Sequence, residues 1–306
     1  MKTIKNLLII ILTGAVVAGC TDAKYLKTPG GMPYKVYKGK DTQRIATGNF
    51  IKVHLTEKIN DSVYFTTNGA LPLYIPVLEQ TNPYDISEVW TKIRVGDSIV
   101  ATRMMDTFIK RNPQNIPPQF KKGDRIITSV KVLGVFTSDS LARADEEKGR
   151  KDWAVAEIKT IEKYLADKNI SAQKTKSGAF VQTLTPGTGN PVDSGKYVSV
   201  NYTGTTFTGK KFDSNTDTAF HHVAPFGFTV GVGEMIKGFD EAVELMKVGE
   251  SARIYIPSLL AYGPQPGSPL IKPYENLIFD VTVIGLNDKA PAQPGMQAPP
   301  PPPAPK

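Results

Sequence analysis

The sequence is poor in the side chains that build covalent or metal-bound frameworks. Its 306 residues contain one cysteine, three histidines and two tryptophans. A single cysteine cannot form a disulfide within the chain, so the fold must rest on its hydrophobic cores. His221 and His222 are sequence neighbours whose side chains would diverge on a strand, and no cysteine is left to join them. We therefore predict no metal site.

Long apolar runs and dense basic blocks are also missing. The apolar run from Leu7 to Val17 is too short for a stable transmembrane helix. The formal net charge of +8 comes from lysines and arginines scattered among acids, without a basic block interleaved with aromatic residues. This pattern disfavours nucleic-acid binding and indicates a mildly basic, solvated surface.

The N-terminus has the layout of an export signal. Lys2 and Lys5 precede the apolar run, which ends in Val17-Ala18-Gly19-Cys20. This ending resembles the lipobox of bacterial lipoproteins. The resemblance implies cleavage before Cys20, acylation of that cysteine, and a lipid-anchored protein in an extracytoplasmic space, on the periplasmic face or the cell surface. The alternative is an ordinary secretory signal with a chance cysteine.

Changes in composition predict six segments along the chain. These are a signal peptide (1–19), a tether (20–40), a β-rich domain (41–137), a helical linker (138–174), a second β-rich domain (175–287) and a Pro-rich disordered tail (288–306). In the linker, Ala154, Ile158, Ile161 and Leu165 recur at helical spacing, and Gly149 is a candidate break. The stripe suits a connecting helix packed on one domain, with a dimerisation helix as the alternative.

The second β-rich domain alternates apolar and polar residues over several short strands around one amphipathic helix. This pattern predicts an α+β fold, an antiparallel sheet wrapped on a short helix. Six motifs follow one another in this domain: Tyr202-Thr203-Gly204, Gly209-Lys210-Lys211-Phe212-Asp213-Ser214, Met235-Ile236-Lys237-Gly238-Phe239-Asp240, Val248-Gly249-Glu250, Ala261-Tyr262-Gly263 and Leu277-Ile278-Phe279-Asp280-Val281. In content, order and spacing they resemble the FKBP-type peptidyl-prolyl isomerases over about a hundred residues.

The resemblance implies an aromatic pocket that binds proline-containing polypeptides, with no cofactor. Carried over by position, the catalytic residues would be Asp213, Tyr262 and Phe279. The substrate-binding residues would be Tyr202, Phe212, Phe228, Met235, Ile236, Phe239 and Ile271. Phe239 stands where the family usually has tryptophan, and the loop from Thr216 to Pro225 is longer than the minimal version.

The residue types suit the isomerisation chemistry. Rotation about an Xaa-Pro amide must cross a barrier of roughly 18–20 kcal/mol because twisting destroys resonance. A water-poor aromatic cleft favours the less polar twisted amide, Tyr262 could donate to the substrate carbonyl, and Asp213 could bias the amide electrostatically. We predict an isomerase that assists the folding of exported proteins. The alternative is a chaperone or peptide-binding lipoprotein that keeps the fold with little turnover.

The first β-rich domain reads as a degenerate copy of the second. Phe50-Ile51-Lys52-Val53 aligns with Tyr197-Val198-Ser199-Val200, and Arg94-Val95-Gly96-Asp97 aligns with Lys247-Val248-Gly249-Glu250. The alignment puts Phe65 on Phe212, whereas Leu55, Thr66 and Thr128 replace Tyr202, Asp213 and Phe279. We predict two FKBP-like copies joined by the charged helix, the first used for client binding or dimerisation. The alternative is an unrelated β-rich domain.

Overall fold

The computed structural model describes residues 25–290 except 112–113, 115–119, 266–267 and 269. These residues form two compact units. Unit 1 comprises 25–68 and 72–143, and unit 2 comprises 69–71 and 144–290. The predicted signal peptide, Cys20 and the Pro-rich tail from residue 291 onward lie outside the described residues.

Unit 1 is a single antiparallel sheet. Its strands are β1 (Leu26–Lys27), β2 (Pro33–Tyr37), β3 (Phe50–Ile59), β4 (Ser62–Thr66), β5 (Leu73–Pro76), β6 (Ser98–Met104) and β7 (Arg125–Phe136). The strand order is β1-β2-β6-β7-β3-β4, and β5 also pairs with β3. A 3₁₀ helix, Ile86–Lys92, buries Val89 and Trp90 in the core of this unit. Helix α1 (Met105–Arg111) follows β6.

Unit 2 repeats this plan strand for strand. Its strands are β8 (Gln173–Lys174), β9 (Phe180–Thr185), β10 (Tyr197–Thr206), β11 (Lys211–Ser214), β12 (Phe226–Thr229), β13 (Ser251–Ile256) and β14 (Leu277–Asn287). The order β8-β9-β13-β14-β10-β11, with β12 paired to β10, matches unit 1 at every position. Helix α3 (Lys237–Val243) buries Phe239 and Val243 against the sheet. The prediction of two antiparallel, FKBP-like sheet units is confirmed.

The two sheets also share an irregularity in register. The pairing of β3 with β7 shifts between Lys52 and Val53, and the pairing of β10 with β14 shifts at the matching place, between Ser199 and Val200. A bulge at the same position in both copies bends the strand in the same way. The resemblance between the units therefore extends to details of strand pairing that amino-acid composition would not show.

The predicted tether is wrong from residue 25 onward. Met32 and Tyr34 are buried in the core of unit 1, and β2 pairs with β6 through Tyr34 and Ala101. Pro29, Gly30 and Gly31 form the turn between β1 and β2, where Gly31 has a φ of 88°. Pro33 is tolerated because it is the first residue of its strand. Here the residues that break regular structure shape a hairpin inside the domain.

Helix α2 (Asp139–Asp167) is one continuous helix of 29 residues. Gly149 does not break it, although glycine costs a helix about 1 kcal/mol relative to alanine. Ile161 and Leu165 of the apolar stripe are buried against Phe180, Tyr255 and Ile278 of unit 2. This packing matches the connecting-helix interpretation, and it removes these two residues from any dimer surface.

Helix α2 also places a carboxyl group beneath the loop that follows β13. Glu157 is only 7% exposed, and its Oε2 accepts a hydrogen bond of 3.4 Å from the backbone N–H of Leu259. Burial raises the pKa of Glu157 above its ordinary value, and donors at Ser258 and Leu259 only partly oppose this effect. The ring of Trp153, one turn earlier, meets Tyr274 edge-on at 5.5 Å. Helix α2 therefore contacts both ends of the loop that follows β13.

The free energy of unfolding of Glu157→Gln, relative to that of the parent chain, should increase as the pH rises. A carboxyl whose folded pKa is raised stabilises the fold most when protonated, below the unfolded pKa, and loses that contribution as pH rises through the folded pKa. Urea unfolding of Glu157→Gln and the parent chain at about pH 4, 6 and 8 measures the difference. Glu146→Gln, on the exposed part of the same helix, should show no such trend. A difference between Glu157→Gln and the parent that stays constant with pH would contradict the expectation.

Candidate active site

Five aromatic rings from five different elements meet on one face of the unit 2 sheet. They are Tyr202 of β10, Phe212 of β11, Phe228 of β12, Phe239 of α3 and Phe279 of β14. Phe279 is central, because its ring centroid lies 5.2 Å from that of Phe239, 5.5 Å from Phe212 and 6.2 Å from Tyr202. Most of these contacts are edge-on or tilted, the geometries that aromatic pairs prefer.

A glycine makes this aromatic packing sterically feasible. Gly204 of β10 pairs with Phe279 of β14. A Cβ atom at this position would lie 2.5 Å from Cζ of Phe212 and 3.0 Å from Cε1 of Phe279. Both rings therefore lie directly over the glycine backbone, so any side chain there would displace them.

Asp213 provides the acidic group of the site and is held by three donors. Its Oδ2 accepts a hydrogen bond of 2.7 Å from the Tyr202 hydroxyl. Its Oδ1 lies 2.8 Å from Nε2 of His222 and accepts one of 2.9 Å from the backbone N–H of Ser214. Burial raises the pKa of Tyr202, and the hydrogen bond to Asp213 and its charge raise it further. Tyr202 therefore stays protonated and acts as a fixed donor to the carboxylate.

Tyr262 lies at the open side of the site, on the loop after the 3₁₀ turn Ser258–Leu260. The turn is closed by hydrogen bonds from Ala261 and Gly263 to the carbonyl of Ser258, 3.0 and 2.9 Å long. Tyr262 is 37% exposed. Burial and the charge of Asp213 both raise the pKa of its phenol, so the hydroxyl remains a donor at neutral pH.

The other residues predicted for the pocket lie in the same apolar cluster. Ile271 is 4% exposed, and Met235 and Ile236 pack as partly buried neighbours. The carbonyl of Ile236 accepts the N–H of Phe239 at 3.0 Å, which sets the entry to α3. The structure thus brings every predicted substrate-binding residue into one cluster, with Asp213 and Tyr262 beside it.

Sequence reasoning missed three residues of this region. Phe226 lies 6.1 Å from the ring of Tyr202, and its alternation with Phe228 on β12 was a usable signal. Asn215 is buried, and its side chain accepts from the N–H of Tyr202 at 2.7 Å and donates to Ala224 at 2.8 Å. The third residue is His222, which the sequence presents only as a candidate metal ligand. Nothing in its sequence context pointed to Asp213.

The arrangement suits rotation about an amide bond. The buried rings form an apolar surface with one oriented carboxylate and one exposed phenol at its edge. Resonance and hydration both stabilise the planar amide relative to the twisted form. An apolar surface removes the hydration and so reduces the free-energy difference between the two forms. Within the described part of the chain, no group of three or more His, Cys, Asp or Glu side chains is arranged to hold a metal ion.

Unit 1 has different side chains at the matching positions. Glu57 occupies the position of Gly204 and pairs with Thr128, as Gly204 pairs with Phe279. Oε1 of Glu57 accepts hydrogen bonds from Arg103 at 3.0 Å and from Thr128 at 3.1 Å. Arg103 also forms an ion pair of 3.5 Å with Asp85. A charged network replaces the aromatic cluster in this sheet.

The predicted alignment of β4 with β11 is wrong by one residue. Glu57 pairs with Phe65 in unit 1, as Gly204 pairs with Asp213 in unit 2. Phe65 therefore stands at the position of Asp213, and Tyr64 is the bulged residue equivalent to Phe212. The hairpin of unit 2 is one residue longer, and a constant offset along the sequence cannot detect this.

An aromatic cleft on an antiparallel sheet, with an oriented acid and a tyrosine at its edge, defines a peptide-binding domain suited to prolyl bonds. A family model described as "FKBP-type peptidyl-prolyl cis-trans isomerase" matches residues 189–284, all within unit 2. The protein "FK506-binding protein 1" of Candida glabrata is 39% identical over 117 residues, 38% of this chain and 99% of that protein. A peptidyl-prolyl cis-trans isomerase of Schizosaccharomyces pombe is 40% identical over 113 residues, 37% of this chain and 97% of that protein.

Among solved structures, a peptidyl-prolyl cis-trans isomerase from Pseudomonas syringae pv. tomato is 29% identical. The match covers 44% of this chain and 96% of that chain, with a TM-score of 0.36. By the sequence relatives above, the chain belongs to the FKBP-type peptidyl-prolyl cis-trans isomerase family. It is a peptidyl-prolyl cis-trans isomerase, and its substrates are proline-containing peptides.

Replacing Gly204 with alanine should abolish most of the activity while the sheet remains folded. Overpacking of this kind costs about 1–3 kcal/mol, and here the two displaced rings both line the site. We expect kcat/KM on an Xaa-Pro peptide to fall about tenfold or more. Gly285→Ala is the matched control, because its Cβ would lie 3.7 Å from the nearest atom, Cβ of Ser199. Equal effects of the two substitutions would argue against the close approach at Gly204.

Proposed function

We propose that this isomerase assists the folding of exported proteins and is held on a membrane by a lipid on Cys20. The observation that supports the catalytic part is the cluster of Tyr202, Asp213, Phe239 and Phe279 in unit 2. The tethering part is supported by the order of charged, apolar and small residues that ends at Cys20. The globular units would then work in an extracytoplasmic compartment, at the periplasmic face or the cell surface.

A folding role suits this location. Uncatalysed prolyl isomerisation takes tens of seconds or longer, so it limits the folding of many chains. Several acyl chains on one cysteine hold a protein on a bilayer nearly permanently, since each buried methylene contributes roughly 0.8 kcal/mol. A tethered isomerase would meet clients as they emerge from the membrane.

The structure describes no helix that is both long and apolar enough to cross a membrane.

For unit 1 we propose client binding. Beside the charged network of Glu57 and Arg103 lies a cavity of about 240 Å³ whose remaining lining is mainly apolar. The apolar lining consists of Tyr64, Met105, Phe108, Phe120 and Ile126. A cavity of this size suits a single apolar side chain of a polypeptide. A protein that acts through this surface alone, without turnover in unit 2, is the second candidate function.

Substitutions at Tyr262 and Phe279 separate catalysis from binding. The purified full chain should accelerate cis/trans isomerisation of a short Xaa-Pro peptide. Tyr262→Phe should lower kcat/KM about twofold to tenfold, because it removes one hydrogen-bond donor. Tyr262→Ala combined with Phe279→Leu should bring the rate close to that of buffer. Tyr37→Phe, at an exposed tyrosine of unit 1, serves as the control.

The same variants test the non-catalytic alternative. If the double variant suppresses client aggregation as well as the parent chain and the parent shows no turnover, the protein is a binding module. If the double variant loses both turnover and the suppression of client aggregation, the function depends on the isomerase site. Circular dichroism of each variant establishes that the sheets remain folded.

Cys20→Ser tests the lipid anchor. When expressed in a bacterium supplied with a labelled fatty acid, the parent chain should carry the label and fractionate with membranes. Cys20→Ser should lose the label and the membrane association while keeping kcat/KM on a soluble peptide. Thr21→Ser is the matched control and should behave as the parent does. An unlabelled parent chain in the soluble fraction would refute the anchor.

A further inference from the structure

Among the described residues, His222 is an ionisable contact of Asp213 that the chemistry above does not use. It lies in the loop between β11 and β12, and its Nε2 is 2.8 Å from Oδ1 of Asp213. Its side chain is 48% exposed and that of Asp213 is 37% exposed. The pair therefore lies at the edge of the cleft, where a substrate peptide and solvent can both reach it.

The loop is built so that the position of His222 is defined. Asp217 caps the 3₁₀ turn Thr218–Phe220 by accepting from the N–H of Ala219 at 3.1 Å. The other oxygen of Asp217 binds Lys211 at 2.8 Å. At the far end of the loop, the carbonyl of Ala224 accepts from the side chain of the buried Asn215 at 2.8 Å. Both ends of the loop are thus fixed to the sheet.

The residue before His222 directs the chain into the site. His221 adopts a left-handed backbone with a φ of 60°, which reverses the chain after the 3₁₀ turn. The N–H of Ala224 then donates to the carbonyl of His222 at 2.9 Å, and this hydrogen bond closes a tight turn over the three residues from His222 to Ala224. This local geometry presents the imidazole of His222 to Asp213.

The charge at this edge of the cleft depends on Asp213 and His222. Among the described residues, Tyr202 on β10 and Tyr262 on the loop after β13 also interact with Asp213, and the Lys211–Asp217 ion pair lies on the adjoining strand and loop. Both tyrosines have a raised pKa and stay neutral at physiological pH. Lys211 and Asp217 compensate each other. Histidine is the side chain that ordinarily changes charge between pH 5 and 8.

We propose that His222 is a positioning residue of the isomerase site that holds Asp213 and couples the charge of the cleft to pH. When neutral, the imidazole donates Nε2–H to Oδ1 and leaves the carboxylate charge intact. When protonated, it forms an ion pair that cancels this charge. Because the negative charge favours the twisted amide electrostatically, turnover falls as His222 takes up a proton. The proposal presupposes that isomerisation takes place in unit 2.

Variants at the two adjacent histidines test the proposal on the purified full chain. The parent chain and His221→Gln should both lose kcat/KM about threefold to tenfold between pH 8 and pH 5.5. His222→Gln retains an N–H donor that cannot titrate, so its own kcat/KM should be the same at pH 5.5 as at pH 8, whatever its absolute value. His222→Ala should be slower than His222→Gln at pH 8, because it leaves Oδ1 without this donor. A pH-dependent loss that persists in His222→Gln, or disappears in His221→Gln, would overturn the proposal.

NMR tests the pair independently of turnover. The chain has only three histidines, His54, His221 and His222, so their ring resonances can be assigned by substitution. Asp213→Asn should move the ring signal of His222 at fixed pH and leave those of His54 and His221 in place. An unmoved His222 signal would show that the pair does not form in solution. A complete lack of turnover in the parent chain would instead contradict the placement of the reaction in unit 2.

Discussion

The active site depends on the close approach of the β10 backbone to two aromatic rings. Gly204 leaves room for Phe212 on one neighbouring strand and Phe279 on the other. Phe279 in turn contacts Tyr202 and Phe239, so the four rings form one connected cluster that packs on the backbone of Gly204. Tyr202 then fixes Asp213 by a hydrogen bond of 2.7 Å. The apolar surface and the charged group of the site therefore have a common structural origin.

The two units show that strand topology alone does not make this site. Their strand orders match, and they share a register shift at the same place on β3 and β10. Unit 1 nevertheless has Glu57 where unit 2 has Gly204, and a carboxylate there is compatible with Thr128 and Arg103 but not with overlying rings. Thr128 and Arg103 supply the hydrogen bonds that this carboxylate needs, whereas its partner on β4, Phe65, is aromatic. The change from Gly204 to Glu57 thus accompanies the replacement of an aromatic cluster by a half-buried charged network at this place in the sheet.

Sequence reasoning was accurate where the signal is local or where a motif is long. Composition and alternation predicted two β-rich domains joined by a helix, and the six motifs contain Asp213, Tyr262, Phe279 and most of the other pocket residues. It was wrong for residues 25–40, because proline and glycine mark both loose tethers and tight turns. It was also wrong by one residue in β4, because the hairpin of β10 and β11 is one residue longer than that of β3 and β4. For residues 25–40 the decisive interactions join residues that are far apart in the chain, as in the pairing of Tyr34 with Ala101.

By itself, the sequence determined the number of sheet units, the continuous run of motifs in the second unit and the residue types of its pocket. The sheet units follow from periodicity and turn residues, and the pocket residues follow from the resemblance of the six motifs to a known family. Only the tertiary structure decided that His222 and Asn215 belong to the site, that Glu157 lies under the Tyr262 loop, and that Phe65 stands at the position of Asp213. The physical reason is that hydrogen bonds and ring packing act over a few ångströms in space, and strand pairing determines which distant residues come that close.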